Sequence, residues 1–357
     1  MTRATNAGGP SLTVREGIAL APYTTLGVGG PARWFVEAAD EATLRAAVDW
    51  ARARRAPLRV LGGGSNVVVP DAGVDALVVQ VALRGVTTHE TRAGVDVTAA
   101  AGEPWDDLVA FTVAHGWAGL ECLSGIPGLV GATPMQNVGA YGQEVSDTVV
   151  AVRVLDTTSG ETLTLSPADC GFGYRDSAFK SRQPGRYVVL AVTYRLRTGG
   201  APMLAYADVT RDIAARGLTA PTLSDVRTSV LAIRRTKSMV LVPGDPNRRS
   251  CGSFFTNPIV TPDVATRVAE RAGDANVPRW AQPTGGVKLS AAWLIERAGF
   301  RRGQREGAVG LSTAHALAIV AHDGARATDV LAFARRLQET VVERFGVTLA
   351  LEPAVWA

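Results

Sequence analysis

Residues 61–69 read Leu-Gly-Gly-Gly-Ser-Asn-Val-Val-Val, a run of three glycines that follows a short predicted strand. Consecutive glycines let neighbouring backbone N–H groups point into one concavity, which suits a diphosphate, and Ser65 and Asn66 can add side-chain hydrogen bonds. A dinucleotide-binding Rossmann fold needs a helix directly after its glycines, whereas a β-branched run follows here. The stretch therefore excludes the Rossmann fold and leaves a phosphate-binding loop or a plain glycine turn between strands.

A second glycine-rich loop lies upstream, where residues 26–32 read Leu-Gly-Val-Gly-Gly-Pro-Ala. Between the two loops the sequence predicts a β-α-β unit, with a strand at 33–38, a helix that begins after Asp40 as its cap, and a strand at 57–61. Because both loops flank this one unit, we favour ligand-binding loops over plain turns.

The segment 121–142 has neither helical nor strand periodicity. It is uncharged from Cys122 onward, half apolar, and interrupted by irregularly spaced glycines. A long loop of this kind is costly unless its backbone groups find partners and it packs against something large, flat and partly polar. A flavin ring with its hydrogen-bonding pyrimidine edge has these properties. A buried structural loop is an equal alternative.

The length of 357 residues predicts more than one domain, and the hydrophobic share of 46% supplies material for sizeable cores, which excludes disorder and fibrous repeats. The run Gly-Gly-Ala-Pro at 199–202 is the best linker signal. We therefore predict a tail over 1–19, a first domain over 20–200 and a second over 201–357. The net charge of +4 is small and spread along the chain, so it indicates a local anionic ligand and no nucleic-acid partner.

Three cysteines, Cys122, Cys170 and Cys251, form an odd count without CxxC spacing. This pattern argues against a disulfide framework or a zinc site, and three of the four histidines have no partner at ligand spacing, so we predict no metal. The polar N-terminus has no apolar signal region, and no run of 18 apolar residues occurs. We expect a soluble, cytoplasmic protein that does not enter a membrane.

Periodicity predicts mixed helices and strands along the rest of the chain. A helix is expected after Pro104 with Trp105, Leu108, Phe111 and Thr112 facing inward. Further helices are expected at 224–236, 263–272, 290–298 and 328–345, and strands at 67–69, 76–79, 95–100, 149–156, 161–165, 187–197 and 347–351.

Several motifs occur in one order along the chain. They are the loop at 62–66, Ile-Pro-Gly-Leu-Val-Gly-Ala-Thr-Pro-Met-Gln-Asn-Val-Gly-Ala-Tyr-Gly at 126–142, Phe-Gly-Tyr-Arg-Asp-Ser-Ala-Phe-Lys at 172–180, Cys-Gly-Ser-Phe-Phe-Thr-Asn-Pro at 251–258, Lys-Leu-Ser-Ala-Ala-Trp-Leu-Ile-Glu at 288–296 and Leu-Glu-Pro at 351–353. Each motif alone is weak, but the ordered set is specific and covers about residues 20–355. Because of these ordered motifs, the chain resembles the UDP-N-acetylenolpyruvoylglucosamine reductase family and, within that family, the tyrosine-loop branch.

The resemblance implies an α+β fold. It consists of a vanillyl-alcohol-oxidase (PCMH) type FAD-binding domain of two lobes and a C-terminal α+β substrate-binding domain. The family reduces UDP-N-acetylenolpyruvoylglucosamine to UDP-N-acetylmuramate for peptidoglycan synthesis, with NADPH as co-substrate and non-covalent FAD. NADPH and the sugar nucleotide are expected to use one pocket in turn, and the protein is expected to be a monomer.

Reduction of an enol ether conjugated to a carboxylate needs hydride at one carbon and a proton at the next, through an enolate-like dianion. The resemblance assigns Arg175 to bracing the substrate carboxylate, Ser253 to delivering the proton and Glu352 to charge handling or proton supply. From the residues alone, each has a plainer interpretation. Arg175 can form a surface pair with Asp176, Ser253 can cap a turn, and Glu352 can be an ordinary strand-end carboxylate.

The resemblance also implies binding residues. Substrate contacts are expected from Tyr206 over the diphosphate, Lys237 against a phosphate, Asn257 and His315, although a histidine in an apolar run is equally typical of a core. The expected cofactor contacts are backbone-rich and comprise Gly62, Gly63, Gly64, Ser65, Asn66, Ser124, Gly125, Ile126, Pro127, Gly128, Gly131, Ala132, Gln136, Asn137, Gly139, Ala140 and Tyr141.

Two other functions compete with this interpretation. One is an oxidase built on the same type of cofactor domain, in which flavin is commonly attached through His or Cys. No family-specific loop here places a histidine, so non-covalent FAD is favoured. The other is a non-catalytic protein that binds flavin or sugar nucleotide, which does not account for Arg175, Ser253 and Glu352 together.

Overall fold

A computed structural model of the chain describes residues 2–4, 12–283 and 285–356. These residues divide into two compact units. The first takes the described residues of Met1–Ile18, Ala32–Gly63 and Asp75–Val240, and the second those of Ala19–Pro31, Gly64–Val74 and Leu241–Ala357. The compact units thus divide near residue 240 and not at the expected linker at 199–202. A boundary at 200 between flavin-binding and substrate-binding parts stays a prediction.

The strands of the described residues are, in chain order, β1 (Thr2–Ala4), β2 (Leu12–Ala19), β3 (Pro31–Ala38), β4 (Leu58–Leu61), β5 (Val67–Val68), β6 (Val74–Val81), β7 (Val86–Thr91), β8 (Gly94–Ala100), β9 (Trp117–Ala118), β10 (Gly139–Ala140), β11 (Gln143–Glu144), β12 (Val149–Asp156), β13 (Thr162–Leu165), β14 (Tyr187–Thr198), β15 (Ile259–Val260), β16 (Arg279–Ala281), β17 (Val287–Leu289), β18 (Arg305–Glu306), β19 (Val309–Leu311), β20 (Ile319–Ala321) and β21 (Ala354–Val355). Most predicted strands are confirmed within a few residues. Residues 12–19, placed in the expected tail, form β2.

The helices of the same residues are α1 (Glu41–Arg54), α2 (Trp105–Ala114), α3 (Pro167–Cys170), α4 (Ala207–Ala215), α5 (Leu223–Thr236), α6 (Pro262–Ala272), α7 (Ala291–Arg297) and α8 (Ala327–Phe345). The helices predicted at 224–236, 263–272, 290–298 and 328–345 are confirmed as α5 to α8. The short helix α4 was not predicted.

The first unit contains two large sheets over one continuous core, and the short antiparallel pair β10-β11. One sheet has the strand order β1-β2-β3-β6-β4, in which β4 runs parallel to β6. The other has the order β13-β12-β14-β8-β7 and is antiparallel, with β9 beside β14. The predicted β-α-β unit therefore lies in the first sheet, where α1 buries its apolar stripe of Leu44, Ala47, Val48 and Ala51.

Helix α1 begins where its sequence predicts. The carboxylate of Asp40 accepts a hydrogen bond from the N–H of Thr43 at 2.7 Å, which satisfies one of the free donors of the first turn. Arg55 takes the left-handed conformation at the other end, with φ of 53°.

Helix α2 follows Pro104 as predicted, but one of its four inward assignments is wrong. Trp105 is buried and donates its ring N–H to the carbonyl oxygen of Leu123 at 3.0 Å, and Leu108 and Thr112 are buried as well. Phe111 is 36% exposed and lies against the rings of His115 and Trp117. The apolar pattern identified the helix without fixing how wide its buried face is.

Helices α4 and α5 explain why the first unit extends past residue 200. Val209 and Ile213 of α4 and Val226 and Val230 of α5 form a small core with Cys122. This core fastens both helices to the loop-rich segment of the first unit, so the glycine-rich run at 199–202 is a turn inside that unit.

The second unit combines three short sheets with α6, α7 and α8. The sheet orders are β15-β17-β16, β18-β19-β20 and the parallel pair β21-β5. Helix α8 buries an apolar face of Val330, Ala334, Leu337, Val341 and Phe345, and ends at Gly346 in the left-handed conformation. The strand predicted at 347–351 is wrong. Only Leu351 forms a bridge, with Phe255, and regular pairing resumes at β21.

Candidate active site

The two loops that were separately predicted to bind a cofactor come together in the first unit. A Cβ atom added to Gly63 would lie 3.0 Å from the Cα atom of Gly128, which is too close for an ordinary contact. One added to Gly62 would lie 3.8 Å from Leu129 and 4.0 Å from Ala132. Glycine is therefore needed at 63 for the close approach of the two loops, whereas a methyl group at Gly62 would make ordinary contacts with Leu129 and Ala132.

The segment 124–142 obtains its backbone partners from neighbouring elements. The buried hydroxyl of Ser124 donates to the carbonyl oxygen of Glu121 at 2.7 Å, and the N–H of Gly125 donates to the carboxylate of Asp106 at 2.6 Å. The N–H of Gly131 donates to the carbonyl of Ala101 at 2.9 Å, where a side chain on Gly131 would collide. These contacts are those that the alternative of a buried structural loop predicts.

Asn137 shapes the same loop from within. It has a positive φ of 46°, its amide nitrogen donates to Glu144 at 2.7 Å and to the carbonyl of Gly173 at 3.1 Å, and its amide oxygen accepts from the N–H of Ser146 at 3.1 Å. In this structure the side chain predicted to contact the cofactor serves the loop itself.

These residues fit FAD. Gly62 and Gly63 carry no side chains of their own, so a diphosphate can approach their peptide groups closely. The segment from Cys122 to Gly142 is uncharged, which suits a neutral ring with a polar edge. FAD needs both features from a non-covalent site.

Arg175 is directed at the predicted cofactor loop. Its Nη2 donates to the carbonyl oxygen of Gly139 at 2.6 Å, and its Nη1 to that of Asn137 at 3.4 Å. Asp176, by contrast, accepts a hydrogen bond from the hydroxyl of Ser181. Arg175 also has a φ of 53°, a left-handed conformation that costs about 1 kcal/mol in a residue with a side chain. The fold holds this arginine in a defined place despite that cost.

The predicted substrate residues Tyr206 and Lys237 lie together with Tyr141. The two tyrosine rings meet edge to face with centroids 5.2 Å apart, and the ammonium of Lys237 lies 5.9 Å from the centre of the Tyr141 ring. Lys237 Nζ also lies 3.5 Å from the carboxylate of Asp208. Burial raises the pKa of both tyrosines, so both phenols stay neutral and can donate hydrogen bonds at physiological pH.

Arg234 belongs to this cluster, and the sequence analysis missed it. It is 8% exposed and donates from Nη2 to the carbonyl of Met239 at 2.7 Å, while its Nε has no hydrogen-bond partner among the described residues. Burial lowers the pKa of its guanidinium, and the phenol of Tyr141 opposes that shift. The signal that would have found it is its place in Arg234-Arg235-Thr236-Lys237, at the end of α5.

In the second unit, backbone pairing joins Glu352 to Phe254, the residue that follows Ser253. The N–H of Glu352 donates to the carbonyl of Phe254 at 3.0 Å, and Phe255 bridges Leu351. Phe254 is fully buried, so the turn that carries Ser253 ends in a fixed residue. The pKa of the neighbouring Cys251 thiol is raised to about 12, by burial and then by the charge of Glu352. The carboxylate of Glu352 therefore lies within electrostatic reach of the 251–253 turn.

Among the loop residues in the second unit, Asn66 is hydrogen-bonded to Glu352, and Gly64 is required by its backbone conformation. The amide of Asn66 donates to the carbonyl oxygen of Glu352 at 3.4 Å. Gly64 has a φ of 62°, and a side chain there would overlap the carbonyl of Tyr23. Glycine is obligatory at this position.

Asn257 and His315 have local partners in the second unit. Asn257 accepts a hydrogen bond from the N–H of Ala291 at 2.9 Å, at the start of α7, and His315 Nδ1 accepts from the N–H of Leu317 at 3.0 Å. Both contacts are structural, and the predicted substrate contacts of these residues stay predictions.

Comparison with known proteins decides the family. The model of an FAD binding domain matches residues 32–166, and that of the UDP-N-acetylenolpyruvoylglucosamine reductase C-terminal domain matches 245–356. The UDP-N-acetylenolpyruvoylglucosamine reductase of Thermobifida fusca is 47% identical over 95% of this chain and 96% of its own. The chain belongs to the UDP-N-acetylenolpyruvoylglucosamine reductase family. The Saccharopolyspora erythraea enzyme of this name is 48% identical, with 95% and 94% of the two chains covered.

A solved member of the UDP-N-acetylenolpyruvoylglucosamine reductase family has the same fold. The crystal structure from Thermus caldophilus covers 97% of this chain and 100% of its own, with a TM-score of 0.66 and 29% identity. The predicted fold class and the predicted class of FAD-dependent oxidoreductase are confirmed. No helix in the described part of the chain is both long and apolar enough to span a bilayer.

Proposed function

We propose that this chain reduces the enolpyruvyl ether of UDP-N-acetylenolpyruvoylglucosamine to UDP-N-acetylmuramate, a step of peptidoglycan synthesis, with NADPH as the reductant. The observation that carries the proposal is the 3.0 Å hydrogen bond from the N–H of Glu352 to the carbonyl of Phe254 in a chain of this family, because it pairs the backbone of the predicted carboxyl residue with the residue that follows the predicted proton donor Ser253. FAD, when bound, supplies the hydride.

The chain's own residues then have to handle charge and one proton. Arg175 offers a planar guanidinium with paired donors, which matches a carboxylate better than lysine does. In the proposed role it braces the substrate carboxylate while negative charge builds up on the conjugated system. The hydroxyl of Ser253 delivers the proton to the carbon next to that carboxylate. Glu352 supplies a proton or balances charge as the hydroxyl gives up its own proton.

Lys237, Tyr141 and Tyr206 suit a diphosphate. A lysine ammonium beside two neutral phenols offers one positive charge and two O–H donors within a small volume. Both NADPH and the sugar nucleotide carry a diphosphate, so we propose that they use these residues in turn. Parallel double-reciprocal plots are expected, and intersecting plots would count against alternate use of one pocket.

The direct test is the visible spectrum of the purified protein. NADPH should bleach the flavin bands under anaerobic conditions, and UDP-N-acetylenolpyruvoylglucosamine should restore them. Ser253→Ala should keep the first step and lose most of the second, by roughly 10²- to 10⁴-fold, the usual size of general acid catalysis. A flavin that the sugar nucleotide fails to reoxidise in the wild-type protein would falsify the proposal.

A control separates the competing oxidase. Acid precipitation should release the flavin into the supernatant, as non-covalent binding requires, whereas colour that stays with the protein would favour covalent attachment. We further propose that the protein works in the cytoplasm as a monomer, which light scattering after size exclusion can check.

A further inference from the structure

The last described residues of the chain pair with two different parts of the second unit. On one side, the N–H of Thr256 donates to the carbonyl of Ala350 and the N–H of Glu352 to that of Phe254, both at 3.0 Å. On the other side, the N–H groups of Ala354 and Trp356 donate to carbonyls of the 66–68 segment, again at 3.0 Å. We call residues 350–356 the C-terminal strap.

Glu352 lies at the point where the strap changes partners. The buried Pro353 separates the two pairings, and beyond it β21 runs parallel to β5, with Ala354 opposite Val67. The side-chain amide of Asn66 adds a hydrogen bond to the carbonyl of Glu352 at 3.4 Å. Glu352 is therefore held from both sides.

The segment that pairs with this end of the strap, β5 and the residues after it, is itself held by burial and hydrogen bonds. Val68 of β5 is fully buried. Farther along the same segment, the carboxylate of Asp71 accepts hydrogen bonds from the N–H groups of Ala327 at 2.7 Å and Thr328 at 3.0 Å. These contacts fasten the segment to the first turn of α8, the longest helix described.

We propose that pairing of the strap with β5 positions the carboxyl group of Glu352 for the proton step, so that Asn66 and Ala354 act as positioning residues through Glu352. The inference rests on the proposed function, which gives Glu352 its role. Without this pairing, the backbone of Glu352 keeps its hydrogen bond to Phe254 but loses the anchor that follows it in the chain. A misplacement of about 1 Å in a proton-transfer group is enough to slow a reaction by roughly 10²-fold.

The test uses a matched pair of proline substitutions in the holoenzyme. Ala354→Pro removes the N–H that donates to Asn66, whereas Val355→Pro removes an N–H that points away from β5, because successive residues of a strand alternate. Both variants are reduced with NADPH and then reoxidised with UDP-N-acetylenolpyruvoylglucosamine in a stopped-flow instrument. We expect Ala354→Pro to slow reoxidation by about 10- to 100-fold with unchanged reduction. Val355→Pro should slow neither step.

A double variant shows whether the effect passes through Glu352. In a Glu352→Gln background, Ala354→Pro should add little further loss, whereas independent effects would multiply. A strap that only stabilises the fold or the cofactor loop would lower FAD content and both half-reactions together. Three outcomes would each overturn the inference. They are such a joint loss, unchanged reoxidation in Ala354→Pro, and effects of Ala354→Pro and Glu352→Gln that multiply fully.

The result for Glu352→Gln alone separates this inference from the proposed function. If that variant reoxidises at the wild-type rate, the role of Glu352 is wrong and the inference falls with it. If Glu352→Gln is slow and Ala354→Pro is normal, the proposed function stands and only the positioning role is wrong. Denaturant unfolding of each variant identifies any loss that comes from misfolding.

Discussion

The guanidinium of Arg175 donates a 2.6 Å hydrogen bond to the carbonyl oxygen of Gly139, so the predicted carboxylate-binding cation is attached to the backbone of the predicted flavin loop. The bond is possible because Gly139 has no side chain. A Cβ atom there would lie 3.0 Å from Nη1 of Arg175 and 2.8 Å from Glu144. Two motifs nearly forty residues apart in the sequence thereby act as one structural element.

Gly139→Ala should displace Arg175 without removing it. We expect reoxidation of the flavin by the sugar nucleotide to slow by roughly 10-fold or more, because the cation that braces the carboxylate moves. Overpacking should also cost about 1–2 kcal/mol of unfolding free energy. Gly173→Ala is the control, since its nearest neighbour would lie 3.9 Å away, and it should leave both values close to wild type. Stopped-flow absorbance and urea unfolding provide the measurements.

Gly62→Ala should weaken FAD binding without weakening the apoprotein. The added methyl group makes only ordinary contacts, at 3.8 Å and beyond, but it covers backbone that is predicted to face FAD. We expect the Kd for FAD, measured by quenching of flavin fluorescence, to rise by about 10-fold or more, while the urea midpoint of the apoprotein stays unchanged. An unchanged Kd would mean that FAD does not lie against Gly62.

Lys237→Ala should raise the KM values for NADPH and for the sugar nucleotide together. Both ligands lose the same partner for a diphosphate, and loss of one charge-assisted contact corresponds to about 2 kcal/mol, or roughly 30-fold. Arg211→Ala is the control, because Arg211 pairs with Asp208 from the solvent side at 3.2 Å. A rise in only one KM would show that the two ligands bind at different places.

The carboxyl group of Asp106, which accepts a hydrogen bond from Gly125, should make the unfolding free energy depend on pH. Burial alone would raise the pKa of its carboxyl, but hydrogen bonds from Arg227 and the N–H of Gly125 hold that pKa below 3.8. Because the folded pKa lies below the unfolded one, the carboxylate stabilises the fold above about pH 4, and this contribution is lost as the pH falls through the folded pKa. Asp106→Asn should cost about 1.5 kcal/mol in urea unfolding at pH 7 and progressively less below pH 4.

Cys122, Cys170 and Cys251 should be unreactive in the native protein. Burial is the main cause that raises the pKa of each thiol to about 12, so almost no thiolate exists at pH 8. A colorimetric disulfide reagent should find no rapidly reacting thiol before denaturation and three afterwards. Fast labelling of one cysteine would show that its surroundings open in solution.

Local signals in the sequence determined the regular elements. Asp40 and the apolar stripe that follows it define α1 without help from the rest of the chain, and the same holds for α8, because capping and helical periodicity act over a few neighbouring residues. The three glycines before a β-branched run excluded the Rossmann fold. The ordered motifs indicated the family before any distance was known.

Other features depended on contacts that no local pattern encodes. Phe111 repeats at helical spacing yet lies outside the core, and the apolar run at 347–351 forms a single bridge, from Leu351 to Phe255. Arg234 lies in a basic stretch and was not predicted as a site residue. The tertiary structure buries it and leaves its Nε without a partner among the described residues.

Sequence alone thus determined the family and predicted which residues carry the chemistry, since residue type and order are local properties of the chain. Only the tertiary structure decided which of them meet: Gly63 with Gly128, Arg175 with Gly139, Lys237 with Tyr141, and Glu352 with Asn66. Those pairs are separated by tens to hundreds of residues. Backbone hydrogen bonding and close packing, which act through space, bring each pair together.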